Sequence, residues 1–232
     1  MNLFWSEDHD QEEHLRIFPN RDNLYPIPFF GDIRRAEVLT MALNPAHDEF
    51  ENRQWPPRAH PTALTGAALA SRLLHYFDLP EPGPHPFFPV LSKMLLPIHC
   101  SYLRNAAHVD LSSLPTFRPR EMLRAEQRQR FAGKVTAFVS RLEAVLRLAK
   151  RTKLLLVLDF VVGDGGGGQM SVWRLVCENC EFMKPYANSN GSVLPVLVKR
   201  GTNQTTALDE MTALVTSMRY EIREHLLAGG AL

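Results

Sequence analysis

Asp110 stands two residues after His108, and if that segment is extended both side chains share one face. Such a pair can orient a base or a water for proton transfer, and it can equally be a structural hydrogen bond at a strand end. Asn44-Pro45-Ala46-His47-Asp48-Glu49-Phe50 brings an amide, a histidine and an aromatic ring into one short stretch, although Asn-Pro taken alone is a common turn signal. Arg200-Gly201-Thr202-Asn203-Gln204 offers a cation and several hydrogen-bonding groups. The adjacent Phe29 and Phe30 can stack on a planar ligand, but aromatics beside Pro26 and Pro28 are more often core plugs.

Other motifs carry less. Gly163-Asp164-Gly165-Gly166-Gly167-Gly168 lacks the spacing of a phosphate-binding loop or a dinucleotide fingerprint and reads as a surface loop. Cys177 and Cys180 have chelating spacing, but zinc and iron–sulfur sites want four ligands and no second pair is present. The histidines show no metal-ligand spacing. Neither a metal nor a cofactor is expected, and the cysteines read as reduced thiols.

These residues need a scaffold to bring them together. Three runs read as buried parallel strands: Ala36 to Leu43, Leu154 to Val162, and Val193 to Val198, the last broken by Pro195 and so an edge or a strand start. Ala106 to Leu111 is a weaker fourth. Helical patterns cover Thr62 to Phe77, with Leu69, Leu73 and Phe77 on one stripe, then Arg120 to Lys150 and Leu208 to Leu227. Alternation of this kind predicts an α/β fold, a three-layer sandwich with a central, mainly parallel four-stranded sheet flanked by helices. Residues 26–232 form one domain in this reading, with residues 1–25 an arm. Ligands of such sheets bind beyond the carboxyl ends of the strands. Asn44, His108, Asp110 and Arg200 all fall at such ends.

The chain has 232 residues, 45% of them hydrophobic, enough to bury a core without metal or disulfides. Its 26 Lys and Arg against 25 Asp and Glu give a net charge of +1, so no global field draws it toward nucleic acid. The charge is uneven: residues 118–153 hold eleven basic residues against three acidic ones, while residues 1–22 carry six acids against two Arg. The basic stretch suits contact with a DNA backbone or, more commonly, a solvated face. The amino terminus lacks a basic segment followed by an apolar one, and no apolar run is long enough to span a bilayer. A cytoplasmic protein with no membrane partner is expected.

Ala42-Leu43-Asn44-Pro45-Ala46 resembles the first motif of the uracil-DNA glycosylase superfamily, in which a strand delivers a short Gly-x-Asn-Pro-Gly or Gly-x-Asp-Pro loop under the target base. The resemblance extends to Tyr25-Pro26-Ile27-Pro28-Phe29-Phe30-Gly31-Asp32, to Glu49-Phe50, and to Ser101-Tyr102-Leu103-Arg104-Asn105-Ala106-Ala107-His108-Val109-Asp110-Leu111, which is similar to a segment of uncharacterised bacterial members. Strand, Arg200–Gln204 loop and final helix are similar to the arrangement of the second motif, which inserts into the duplex. Ala42 and Ala46 stand where the family usually has Gly, and Arg200-Gly201-Thr202 replaces its His-Pro-Ser or Asn-Pro-Ser.

The resemblance implies a monomeric, monofunctional DNA glycosylase that flips a base from duplex or single-stranded DNA and hydrolyses its N-glycosidic bond. It implies catalytic roles for Asn44, which would hold the water, and Asp110, which would activate it or stabilise the sugar cation. Phe29, Phe30, Pro45, His47, Phe50 and His108 would line the base pocket. Arg200, Gly201, Thr202, Asn203 and Gln204 would meet the DNA. The departures point away from uracil, toward a bulky modified cytosine such as the glucosylated hydroxymethylcytosine of phage DNA, attacked by anti-phage members of the group. Repair of uracil or a mismatched pyrimidine, a non-catalytic base sensor, and a hydrolase of free nucleosides or nucleotides remain open beside it.

Overall fold

The computed structural model describes residues 29–42, 71, 73–78, 84–110, 148–163, 169–171, 196–201 and 204–228. Its architecture follows from the apolar runs. Strand β2 (Val38–Ala42) is buried at all five positions, as is β3 (Ala106–Asp110), and β4 (Leu154–Gly163) is buried from Leu154 through Asp159. Successive side chains of a strand point to opposite faces, so burial at every position means that both faces are covered.

These strands join β1 (Phe29–Phe30) and β6 (Val196–Gly201) in one mixed sheet of order β1-β3-β2-β4-β6. β3, β2, β4 and β6 run parallel, while β1 lies antiparallel on β3. The four parallel strands correspond to the four expected, but β6 runs on to Gly201, past the expected end at Val198, so Arg200 and Gly201 lie in the strand and not in a loop after it. The sheet is nevertheless five-stranded, not four-stranded. β1 is only two residues long, between Pro28 and the turn at Gly31, too short for any hydrophobic period to reveal it. Past the sheet, Val161–Gly163 of β4 pairs antiparallel with β5 (Gln169–Ser171), so the glycine run connects two neighbouring strands.

A helix that the sequence pattern did not disclose, α1 (Phe87–Leu95), follows Pro84 and Pro86 and contains Pro89. Pro89 is its third residue, where a backbone N–H has no intrahelical acceptor to lose. Phe88, Leu91, Met94 and Leu95 face the core, and a 3-10 turn, Leu96–Ile98, extends the helix. The closing helix expected over 208–227 is two, α2 (Gln204–Ser217) and α3 (Arg219–Leu227), interrupted at Met218. Just before the break, Thr216 and Ser217 hydroxyls donate to the carbonyls of Thr212 (2.7 Å) and Leu214 (2.8 Å), a competition with the backbone that bends helices. Of the helix expected over 62–77, the described part ends at Leu74, and after a turn the chain forms a 3-10 turn, Tyr76–Asp78, so Phe77 lies beyond the helix, although Leu73 and Phe77 both enter the core. The 120–150 helices lie almost wholly outside the described residues.

α1 and α2 pack together on one face of the sheet: Phe88 meets the His108 ring at 5.4 Å, and Glu210 of α2 approaches Lys199 of β6 at 3.9 Å. The amino ends of the strands are pinned separately, by Lys153 Nζ on Glu37 Oε1 (2.9 Å) and Asn105 Nδ2 on Glu37 Oε2 (3.2 Å). Among the described residues, no helix is long and apolar enough to cross a membrane.

Candidate functional site at the carboxyl end of the sheet

From β2 the chain returns to β3 on one side; β3 then connects across to β4 on the other, and β4 leads on to β6. Neighbours β2 and β4 therefore send their carboxyl-terminal connections in opposite directions, which opens the crevice where sheets of this type hold ligands. β2 borders that crevice. Ala42, its last residue, lies in register with Asp110. Asn44 itself, with Pro45, His47, Phe50, Thr202, Asn203, the arm at 1–25 and the pair Cys177/Cys180, lies outside the described residues.

His108 and Asp110 share the face of β3 that α1 covers, as their spacing predicts. His108 Nε2 stands 3.3 Å from Asp110 Oδ1, with both side chains only 2% exposed. The pair ends a longer buried chain. Thr40, in register with His108 on β2, places Oγ1 2.7 Å from His108 Nδ1 and 2.7 Å from the Tyr102 hydroxyl. The Asp110 carboxylate can only accept, so Nε2 carries the imidazole proton and Nδ1 accepts from the Thr40 hydroxyl, whose other acceptor, the Ala107 carbonyl, is further away at 3.4 Å. One direction then satisfies every group: Tyr102 O–H donates to Thr40, Thr40 O–H to His108 Nδ1, and His108 Nε2–H to Asp110. Both ring nitrogens of His108 are occupied, which leaves Asp110 as the member able to receive a further proton. Among the described residues nothing donates to its Oδ2. Burial pushes the Tyr102 hydroxyl far above its usual range, with Asp110 adding to the rise and the Thr40 hydrogen bond opposing it, so Tyr102 serves as a neutral donor.

Aromatic rings fix the imidazole. Phe30, Phe87 and Phe88 lie 6.1, 6.2 and 5.4 Å from its centroid. Phe77 stacks on Tyr102 at 4.6 Å, an approach that requires Gly31, because a Cβ there would meet the Phe77 ring at 2.8 Å and φ is +88°. Phe29 and Phe30, paired with Val109 and His108, project to opposite faces, so they do not form one stacking platform. Phe30, 1% exposed and edge-on to Tyr76 and Phe88, is packed within the core beside His108.

Arg200 lies at the end of β6, half-exposed, and its Nε donates to Asp159 Oδ2 at 3.0 Å. Asp159 is in register with Arg200, three residues past Leu156, the register partner of Thr40. The pair thus occupies the opposite face of the sheet from His108 and Asp110. Three strand intervals separate β3 from β6, about 14 Å. Gly201 closes β6 and Gln204 opens α2. Thr40, Tyr102 and Asp159 were not singled out from the sequence. Thr40 and Asp159 did carry a signal, each a polar residue inside an otherwise apolar strand run, where it needs a partner. Tyr102, in the turn before β3, carried none.

Among the described residues, no group of three or more His, Cys, Asp or Glu is arranged to hold a metal ion. Comparison with protein-family models, curated proteins and solved structures finds no match to this chain.

Proposed function

We propose that this chain is a monomeric, cytoplasmic DNA glycosylase of the uracil-DNA glycosylase type, built as a three-layer sandwich. The observation that carries the reading is the buried carboxylate of Asp110, oriented by His108, Thr40 and Tyr102 and in register with the end of the strand that leads into Asn44-Pro45. Chemistry at a glycosidic carbon needs that combination. As the bond between sugar and base stretches, its electron pair leaves with the base and positive charge develops on the sugar. A fixed anion beside the sugar stabilises that charge. Asp110 then takes a proton from the attacking water, whose oxygen bonds to the anomeric carbon, while Asn44 holds the water in place. Covering the imidazole with aromatic rings keeps bulk water away from the pair. The 3.3 Å separation of His108 and Asp110 is longer than an ideal hydrogen bond, leaving room to tighten when substrate binds.

Arg200-Gly201-Thr202 supports a base other than uracil, and a modified cytosine of phage DNA is the proposed substrate. DNAs carrying uracil, mismatched pyrimidines, hydroxymethylcytosine and its glucosylated form test this, with released bases identified by mass spectrometry. Release from the glucosylated DNA is expected. Release from uracil DNA alone would move the reading to repair, and release from none would favour a base sensor.

A further inference from the structure

We infer that Asp159 is a positioning residue that aims Arg200 at a DNA phosphate flanking the flipped nucleotide. The inference rests on the DNA-acting reading above. Asp159 is the one acidic residue in β4, and its side chain is 2% exposed, whereas Arg200 is 48% exposed. A buried carboxylate that grips a guanidinium through Nε leaves the two terminal nitrogens side by side, the edge that meets phosphate oxygens in a bidentate way. The fork is held at the carboxyl end of β6, immediately before the connection to α2. It lies on the opposite sheet face from Asp110 and about three strand intervals, roughly 14 Å, away. That distance is too great for the sugar under attack, so the phosphodiester it fits is one beside it.

A merely screening carboxylate makes the opposite prediction in sign. Asp159→Asn raises the net charge by one, which by itself strengthens binding to any polyanion. Glu210→Gln makes the same charge change beside Lys199 on the other face and serves as the control. Affinity for a fluorescein-labelled unmodified duplex and for its single strand is measured across a salt series, with thermal unfolding of each variant recorded. The expected result is that Asp159→Asn binds more weakly than wild type, with the slope of log affinity against log salt reduced by about one, while Glu210→Gln binds as tightly as wild type or tighter. Arg200→Ala should match Asp159→Asn, and the double variant should lose no more than either. Arg200→Lys keeps the charge but not the fork, so it should behave like Arg200→Ala; this comparison carries the test if Asp159→Asn does not fold. Tighter binding by Asp159→Asn, or wild-type affinity and slope in Arg200→Lys, overturns the inference. If base release persists in that case, the glycosylase reading stands without it; a wild type that binds neither DNA overturns both.

Discussion

Replacing Thr40 by valine removes one hydroxyl from the centre of the buried chain while leaving shape and volume almost unchanged. Two groups lose their partner at once. The Tyr102 hydroxyl loses its acceptor at 2.7 Å, and His108 Nδ1 loses its donor at 2.7 Å, both inside a site where Thr40 is fully buried. A buried polar group left unsatisfied costs about 1–3 kcal/mol, so Thr40→Val should destabilise by about 2–6 kcal/mol. Thr40→Ser keeps the hydroxyl and deletes a methyl, which costs about 1 kcal/mol. The order matters more than the sizes. If Thr40 served only to fill space, valine would be the milder change and serine the worse. Urea unfolding followed by circular dichroism gives both free energies, with the slopes compared to exclude changes in the unfolded state. Thr40→Val losing less than Thr40→Ser would refute the hydrogen-bonded chain, and with it the argument that His108 donates to Asp110.

Gly31→Ala should destabilise by about 1–3 kcal/mol, since it combines a left-handed backbone with a Cβ 2.8 Å from the Phe77 ring; an unchanged melting temperature would show that the ring moves aside at no cost. Burial pushes the Cys100 thiol up to about 11 from an ordinary 9.0, with the Asn105 amide opposing the rise. The folded state therefore holds this proton after the unfolded chain has released it, so stability is fully present below about pH 9 and falls as pH rises toward 11, by at most about 1.4 kcal/mol per pH unit. The fall should be shallower in Cys100→Ala, and equal slopes for the two proteins would remove Cys100 from the account.

Much of the scaffold was legible because its strands are buried on both faces. Leu154 to Val162 is apolar at nearly every position, and a run of that kind needs no alternation to declare itself. β1 was not legible, since two residues hold no period, and α1 was masked by prolines that its first turn tolerates. Half of the site could be read the same way. His108 and Asp110 share a face because strand periodicity is two. Thr40 and Tyr102 complete the chain through contacts 62 and 68 residues apart in sequence, which no local pattern encodes. The opposite-face placement of Asp159 and Arg200 depends on the register of β4 with β2 and β6, and register is a property of the assembled sheet.

The role of Asp110 is the claim on which the rest depends, and Asp110→Asn tests it most directly. The amide keeps an oxygen for the His108 N–H but has neither the charge to stabilise a sugar cation nor the basicity to take a proton from water. Single-turnover base release and DNA affinity should be measured side by side for wild type and variant, on whichever modified DNA the wild type attacks. The account predicts a rate lower by about 10²-fold or more with affinity within a few-fold of wild type, because ground-state grip on DNA comes mainly from phosphates. Base release at the wild-type rate by Asp110→Asn would contradict it.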